Sequence, residues 1–494
     1  LGKPDRFRCI GNTMDITLRQ LDENRWLIPK RGPMRVPGLI FSNQDLIKAV
    51  QQDQSLVQVA NVATLPGIIG HSLAMPDIHW GYGFPIGGVA AFDLDEGIVS
   101  PGGVGYDINC GCRLMTTHLQ VRDIQPLIKK LISALFKDIP TGVGSRGAIR
   151  LSKSDEKKVA VQGAAWAVKN GLGDPQDLER TEDHGTMEGA DPSVLSERAL
   201  KRGEEQLGTL GSGNHFLEIQ TVERIYDPIK ANAYNLFEGQ ITVFIHTGSR
   251  GFGHQICDDF LKEMSKSMAN GKERFELPDR QLACARIKSD LGRRYFTAMA
   301  CAANYAWCNR QVLMHRTEET LLKALALTPE ELRFELLYDV CHNIAKKEVH
   351  KVGGKSVMLC VHRKGATRSL PAGHSLLPSA YRGAGQPVLI PGDMGTHSYV
   401  LSGAEGALEQ SFGSTCHGAG RVLSRSKAVK MAKGRAIYRE LEDQGIFAQS
   451  RGKRTLKEEM PEAYKDISQV VKVVHQAGLA RKVARLRPLG VIKG

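Results

Sequence analysis

ITVFIHTGSRGFGHQICDDFLKEMSKSM, residues 241–268, changes character twice. Ile241 to His246 is a run of β-branched and aromatic side chains, the composition of a strand, and it stops at the glycines of HTGSRGFGH. From Cys257 to Met268 the pattern becomes helical. A strand, a glycine loop and a helix in that order put His246 at the strand's C-terminal end. FELLYDVCHN, Phe334 to Asn343, has the same form and delivers His342 to a strand end, before a short segment, Ile344 to Val349, expected to be helical. Leu291, Tyr295, Met299, Ala302, Ala306 and Leu313 mark one long helix from Ser289 to Glu318, a core support. The expectation is an α+β fold, mixed β-sheets packed with helices, with one deep, strongly basic active-site cleft.

The chain of 494 residues, 41% hydrophobic and 24% charged, has ordinary globular composition and length enough for a large core without covalent staples. No run of about 18 apolar residues suggests a membrane span. LGKPDRFRCI at the start has neither a secretory signal's apolar stretch nor an initiator methionine, so a non-exported chain, processed or trimmed at its start, is expected. Ten scattered cysteines, from Cys9 to Cys416, form no CxxC pair and no short disulfide framework, which suits a reducing compartment. A cytoplasmic location follows as the expectation, nuclear as well in a eukaryote. A formal net charge of +13 would attract polyanions, and nucleic acid is the natural partner.

The 52 glycines are clustered in short loops between apolar runs, so there is neither a repeat nor a flexible linker. Leu151 to Gln206 is charged and helix-rich, with Asp191-Pro192 reading as an N-cap and first-turn pair, and is expected to be a peripheral insertion. Residues with chemical potential run from Asp107 to Lys493, so a single catalytic domain over residues 1–494 with one composite site is expected. Arg421 to Gln444 reads as a basic helix whose N-terminus, close to His417, would suit an anion.

In YDINCGC, Asp107 and Cys110 stand three apart, between a glycine turn and the alternating run CRLMTTHL. With His215, His246 and His342 they offer a carboxylate, a thiolate and three imidazoles, a set that suits one or two transition ions. A thiolate can bridge two ions. These ligand types favour zinc by softness and do not select manganese. His417 lies among small residues in STCHGAGR, where its imidazole could meet a phosphate unobstructed as a nucleophile.

Eight segments together resemble the RtcB family of RNA ligases: SPGGVGYDINCG, GTLGSGNHFLEIQ, IHTGSRGFGHQ, YDVCHNIAKKE, HRKGATRS, GDMGTHSYVLSG, STCHGAGR and the terminal VIKG. The resemblance extends from about Asn61 to Gly494 and is less diagnostic over the N-terminal fifty or so residues and from Leu151 to Gln206. It implies that two manganese ions are held, one by Asp107, Cys110 and His215 and the other by Cys110, His246 and His342, with Cys110 bridging. It implies that His417 is guanylylated and that Gly418, Ala419 and Gly420 surround the guanylate. A GTP pocket is implied at Asn214, His215, Phe216, Leu217 and Glu218, at His342 and Asn343, at Pro391, Gly392, Asp393 and Met394, and at Ser398 and Lys493, with Tyr464 stacked near the guanine. The implied reaction joins RNA 3′-phosphate or 2′,3′-cyclic phosphate ends to 5′-hydroxyl ends, in tRNA splicing or RNA repair. RNA would be the partner, with Arg146, Arg250, Lys364, Arg368, Arg421 and Arg425 as phosphate contacts, an archease-like activator a further partner, and the catalytic unit a monomer. Two other readings of the same residues are a binuclear-metal phosphodiesterase that only opens cyclic phosphates, and an RNA-binding scaffold whose metal is structural.

Overall fold

The computed structural model describes residues 5–7, 16–271 and 276–494; Cys9 lies outside them. Two eight-stranded sheets and a set of helices make an α+β fold. The central sheet runs, neighbour to neighbour, through Glu335–Cys341, Gly111–Gln120, Gln240–Thr247, Phe216–Ile225, Ala480–Lys493, Ser398–Gly403 and Pro387–Ile390. Phe447–Ser450 adds to it, parallel to Ala480–Lys493, and the other pairings in this sheet are antiparallel. Gln240–Thr247 is buried along its whole length, which is why it reads as an unbroken apolar run and not as an alternating one. Both of its neighbours are buried where they flank it.

The second sheet begins with Asp5–Phe7, Ile16–Gln20, Arg25–Ile28 and Gly38–Phe41, and continues through Ile68–His79, Ile86–Asp93, Lys355–Lys364 and Asn343–Val352. Here the segment expected as a helix, Ile344 to Val349, is a strand. It pairs with Lys355–Lys364 across a two-residue turn, Gly353-Gly354, in which both glycines have positive φ (55° and 80°). Such a Gly-Gly pair makes the tight hairpin turn whose twist matches that of its strands, and this local signal outweighs the helical look of IAKKEV.

The long helix expected from Ser289 spans Asp290–Leu325; Ser289 caps it by accepting from the Gly292 N–H, and Ala326 ends it in the left-handed conformation. Its middle, Ala298 to Met314, is buried all round, as a helix in the centre of a large core must be. The basic helix expected from Arg421 to Gln444 is two short helices, Arg425–Met431 and Ile437–Asp443, separated at Gly434 with φ 82°. The first starts after the N-cap Ser424, so the expected helix does not begin beside His417.

Leu151 to Gln206 is rich in short helices, and Asp191 caps the turn Pro192–Val194. Val159, Ala160, Ala164, Trp166 and Ala167 belong to the same core cluster as Trp307 of the long helix. Glu182, 1% exposed, accepts from the Cys341 N–H at 2.8 Å and pairs with Lys346 at 2.6 Å. Some of the segment's charged residues are neutralised inside by such pairs. Arg368 is consumed in the same way: at 3% exposure it pairs with Glu182 and Asp183, which removes it from the expected phosphate contacts.

Glu156 in this segment is 3% exposed, and its Oε1 has no hydrogen-bond partner among the described residues. Burial, with Glu204 nearby, pushes its pKa from 4.5 up to about 8. The folded chain therefore keeps a proton that the unfolded chain releases above 4.5, so this contribution to stability is greatest in acid and declines as pH rises toward 8. Glu156→Gln is expected to remove that decline when urea unfolding is compared at about pH 5 and about pH 8. An unchanged decline would mean that Glu156 is ionised in the fold.

Candidate metal centre and adjoining pocket

Four neighbouring strands of the central sheet finish level with one another. Gly111 is opposite both Thr247 and Cys341, and His246 is opposite Phe216. Cys110 precedes Gly111, His215 precedes Phe216, His246 sits at the end of its strand and His342 follows Cys341, so antiparallel register gathers four side chains from four parts of the chain. Cys110 Sγ lies 3.3 Å from His215 Nε2 and 3.2 Å from His246 Nε2, and His246 Nε2 lies 3.3 Å from His342 Nε2. Asp107, in the loop before Cys110, brings Oδ2 to 2.9 Å from His215 Nε2, and Arg250 donates to the other ring nitrogen of His215 at 3.0 Å.

These atoms fit a metal ion better than they fit one another. Two lone-pair nitrogens facing each other at 3.3 Å share at most one proton. The same spacing is that of two nitrogens at about 2.0–2.1 Å from one tetrahedral ion. Burial holds His246 and His342 well below the ordinary imidazole pKa, so both are neutral and able to ligate. Burial pushes the Cys110 thiol up, and nearby Asp107 adds to it, so a thiolate there calls for a cation. Asp107 is only partly exposed, which would raise its carboxyl, yet the His215 hydrogen bond and the charges around it keep it low and ionised. Ligand atoms of Cys110, His215 and His246 form one group within 4.8 Å of one another, and those of Cys112, His246 and His342 form a second. Cys112 was not singled out from sequence; its place opposite His246 in the ladder is what brings it near.

A cavity of about 320 Å³ opens beside these residues. Its wall includes Asn214, Phe216, Glu218, Asn343, the Pro391 to Met394 loop, His417 to Gly420, Tyr464 and Lys493. Two residues of the expected pocket stand apart from it. Leu217 turns to the opposite face of the sheet, into the cluster with Ile128 and Leu131. Ser398 lies behind the wall, where its Oγ accepts from the Gly392 N–H at 3.3 Å and from Gln220 at 3.1 Å. Burial pushes Glu218 up to about 7 and lowers Lys493, whose ammonium donates to the Asn214 carbonyl at 3.4 Å. Tyr464 donates to Glu459, with Arg421 stacked 5.0 Å over its ring. Lys364 lines the cavity but donates to the carbonyls of Tyr82 and Phe84, and burial lowers it to about 7. Arg146 and Arg425 are more open, paired with Glu205 and Glu459 respectively.

His417 follows the short strand Ser414–Cys416, and its ring centroid is 4.9 Å from that of His342. Its Nδ1 meets Asp77 Oδ2 at 2.6 Å, and the same oxygen accepts from the His417 and Gly418 N–H groups at 2.9 and 3.3 Å. Asp77 is fully buried in the strand Ile68–His79; burial alone would raise it, but His417 and Lys465 hold it low and therefore charged. No local feature of AMPDIHW marks Asp77, and only the approach of the loop after Ser414–Cys416 to the strand Ile68–His79 reveals it.

The fold and the site define an α+β protein with a candidate transition-metal centre at the end of a sheet and an oriented histidine beside it. Residues 58–494 match the family model described as tRNA-splicing ligase RtcB, and the chain belongs to the RtcB family. It is 53% identical over 480 residues to the tRNA-splicing ligase RtcB of Thermococcus kodakarensis, covering 97% of this chain and 99% of the relative. It is 52% identical over 483 residues to the protein of that name from Archaeoglobus fulgidus, covering 97% and 100%. The RNA-splicing ligase RtcB of Mycobacterium tuberculosis is 53% identical over 441 residues, 89% of this chain and 100% of the relative. Among the described residues no helix is long and apolar enough to cross a membrane.

Equilibrium dialysis is expected to show that the protein takes up divalent transition metal and that Cys110→Ala weakens uptake by at least about 100-fold, more than loss of an outer contact would. Undiminished uptake by Cys110→Ala would remove sulfur from the centre.

Proposed function

We propose that this chain is a GTP-dependent RNA ligase that joins a 3′-phosphate or 2′,3′-cyclic phosphate end to a 5′-hydroxyl end. The observation that carries the reading is the Asp77–His417 pair beside the metal-type cluster in one cavity. Asp77 accepts from Nδ1–H, which leaves the His417 Nε2 lone pair as the nucleophile. That lone pair attacks the α-phosphorus of GTP, the bond to the β-phosphate oxygen breaks, and pyrophosphate leaves. An oxygen of the RNA 3′-phosphate then attacks the same phosphorus, breaking the P–N bond and returning the electron pair to His417. Finally the 5′-hydroxyl oxygen attacks the RNA phosphorus, GMP departs with the anhydride electrons, and the hydroxyl proton is lost to a base. A cyclic end first adds water across one P–O bond.

Two manganese ions, one with Asp107, Cys110 and His215 and one with Cys110, His246 and His342, would supply positive charge for the phosphoryl oxygens. The residues of the chain do the positioning: Asp77 orients the imidazole, and the buried Glu218 and Lys493 present a polar wall to the base. RNA in the form of cleaved tRNA is the substrate class suggested by the names of the relatives. An archease-like activator and a monomeric, cytoplasmic enzyme belong to the same reading.

The test is incubation with GTP labelled at the α-phosphate, with manganese, followed by end joining of RNAs bearing each 3′-end chemistry. A covalent guanylate is expected on the parent protein and absent from His417→Ala. A parent that hydrolyses cyclic phosphates without ever carrying label would make the protein a phosphodiesterase. Asp77→Asn is expected to slow labelling by about 10²–10⁴-fold, because the carboxamide N–H would favour the tautomer protonated at Nε2. Labelling at the parental rate would show that His417 needs no such orientation.

A further inference from the structure

The ligand-bearing segments converge on a second point besides the candidate metal centre. Arg310, in the middle of the long helix, is fully buried. Its Nε donates to Asp339 Oδ2 at 2.8 Å and one Nη2 bond goes to Asp339 Oδ1 at 2.9 Å. The other Nη2 bond reaches Asn109 Oδ1 at 3.0 Å, while Nη1 donates to the carbonyls of Asn109 at 2.8 Å and Thr247 at 2.9 Å. A guanidinium has five N–H donors in a fixed plane, and these five bonds use all of them.

The acceptors are placed next to the ligands. Asn109 precedes Cys110 and adopts φ 53°, Thr247 follows His246, and Asp339 lies on the strand that ends at His342. The ring of contacts is closed without further help: Asn109 N–H donates to the Asn343 carbonyl at 2.7 Å, and His342 N–H to the Cys110 carbonyl at 2.9 Å. A Cβ on Gly111 would come within 3.1 Å of the Arg310 guanidinium carbon, so glycine lets the strand approach the fork.

We propose that Arg310 is the positioning residue of the metal centre. By fixing the backbone carbonyls of Asn109 and Thr247 and the carboxylate of Asp339 with one rigid group, it sets the separation of the Cys110, His246 and His342 side chains. The inference rests on the reading of those side chains as metal ligands. Lysine cannot substitute, since an ammonium offers three donors and no plane. Arg113, which pairs with the same Asp339 at 2.7 Å but otherwise reaches Gln311 and Thr181, provides the comparison: it shares the buried charge without holding Asn109 or Thr247.

The measurement is titration of the metal-free full chain with manganese alone and with cobalt(II) alone, the latter followed by its ligand-field and thiolate charge-transfer bands. Arg310→Lys is expected to fold by circular dichroism, to bind both ions about 10- to 100-fold more weakly than the parent and to alter the cobalt spectrum. Arg113→Lys is expected to lose stability while keeping the parental metal affinity and spectrum. Asn109→Gly, which tolerates the positive φ and removes only the side-chain acceptors and donors, is expected to weaken binding less than Arg310→Lys, and it carries the test if Arg310→Lys does not fold. Parental affinity in Arg310→Lys or in Asn109→Gly overturns the proposal, as does equal weakening by Arg113→Lys. A parent protein that binds neither ion overturns the metal-ligand reading itself.

Discussion

Antiparallel register is the constraint on which the site depends. Side chains along a strand alternate between faces, so a slip by one residue in the pairing of Gln240–Thr247 with either neighbour would carry His246 to the other face and about 3.3 Å along the strand. The pairings of Thr247 with Gly111 and of His246 with Phe216 hold because both faces of the strand are buried, with Phe244 on one side and Val243 and Ile245 on the other, in different core clusters. Packing on two faces thus sets positions for polar atoms at the strand's end. The long helix and the segment Leu151 to Gln206 act on the site through this same sheet.

The second sheet contributes a different kind of constraint. Asp77 is charged in a place where a charge would ordinarily be prohibitive, and what makes it tolerable is the pair of backbone N–H groups at His417 and Gly418, the imidazole, and Lys465, which donates to the Pro76 and Ile78 carbonyls. The anion therefore does two things at once. It ties the loop after Ser414–Cys416 to the strand Ile68–His79, and it leaves the imidazole with one defined nitrogen facing the cavity. Removing the backbone donors would disturb both, which is why loop geometry and ring orientation are coupled here.

What was legible in the sequence was what is encoded locally. The strand ends at His246 and His342, the long helix capped by Ser289, and the glycine loops around Cys110 and His417 all have short-range signals, and the motif resemblance joined residues that spacing alone could not. The hairpin at Gly353-Gly354 also had a local signal, but the helical look of IAKKEV masked it. The burial of Leu151 to Gln206 did not have one, because the pairing of Glu182 with Lys346 and Arg368 is decided by residues far away in the chain. Asp77, Cys112 and Arg310 were illegible for the same reason. Each is one ordinary residue in a strand or helix whose importance comes from what the tertiary fold lays against it.

The interior satisfies some of its polar groups completely and leaves others without a partner among the described residues. Deep in the core Arg113, Arg310 and Asp339 satisfy one another, and Asn304 and Asn309 bond to backbone groups. Asp77 Oδ1, Gln220 Oε1 and Arg250 Nε have no hydrogen-bond partner among the described residues, and the same is true of Glu156 Oε1 and Trp307 Nε1 in another part of the core; Glu218, which lines the cavity, is pushed toward neutrality by burial. A buried polar atom without a partner costs about 1–3 kcal/mol. The cluster at the strand ends is complementary to cations, and the cavity beyond it is lined by both the cations Lys493, Arg421 and Arg425 and the carboxyls of Glu218 and Asp393.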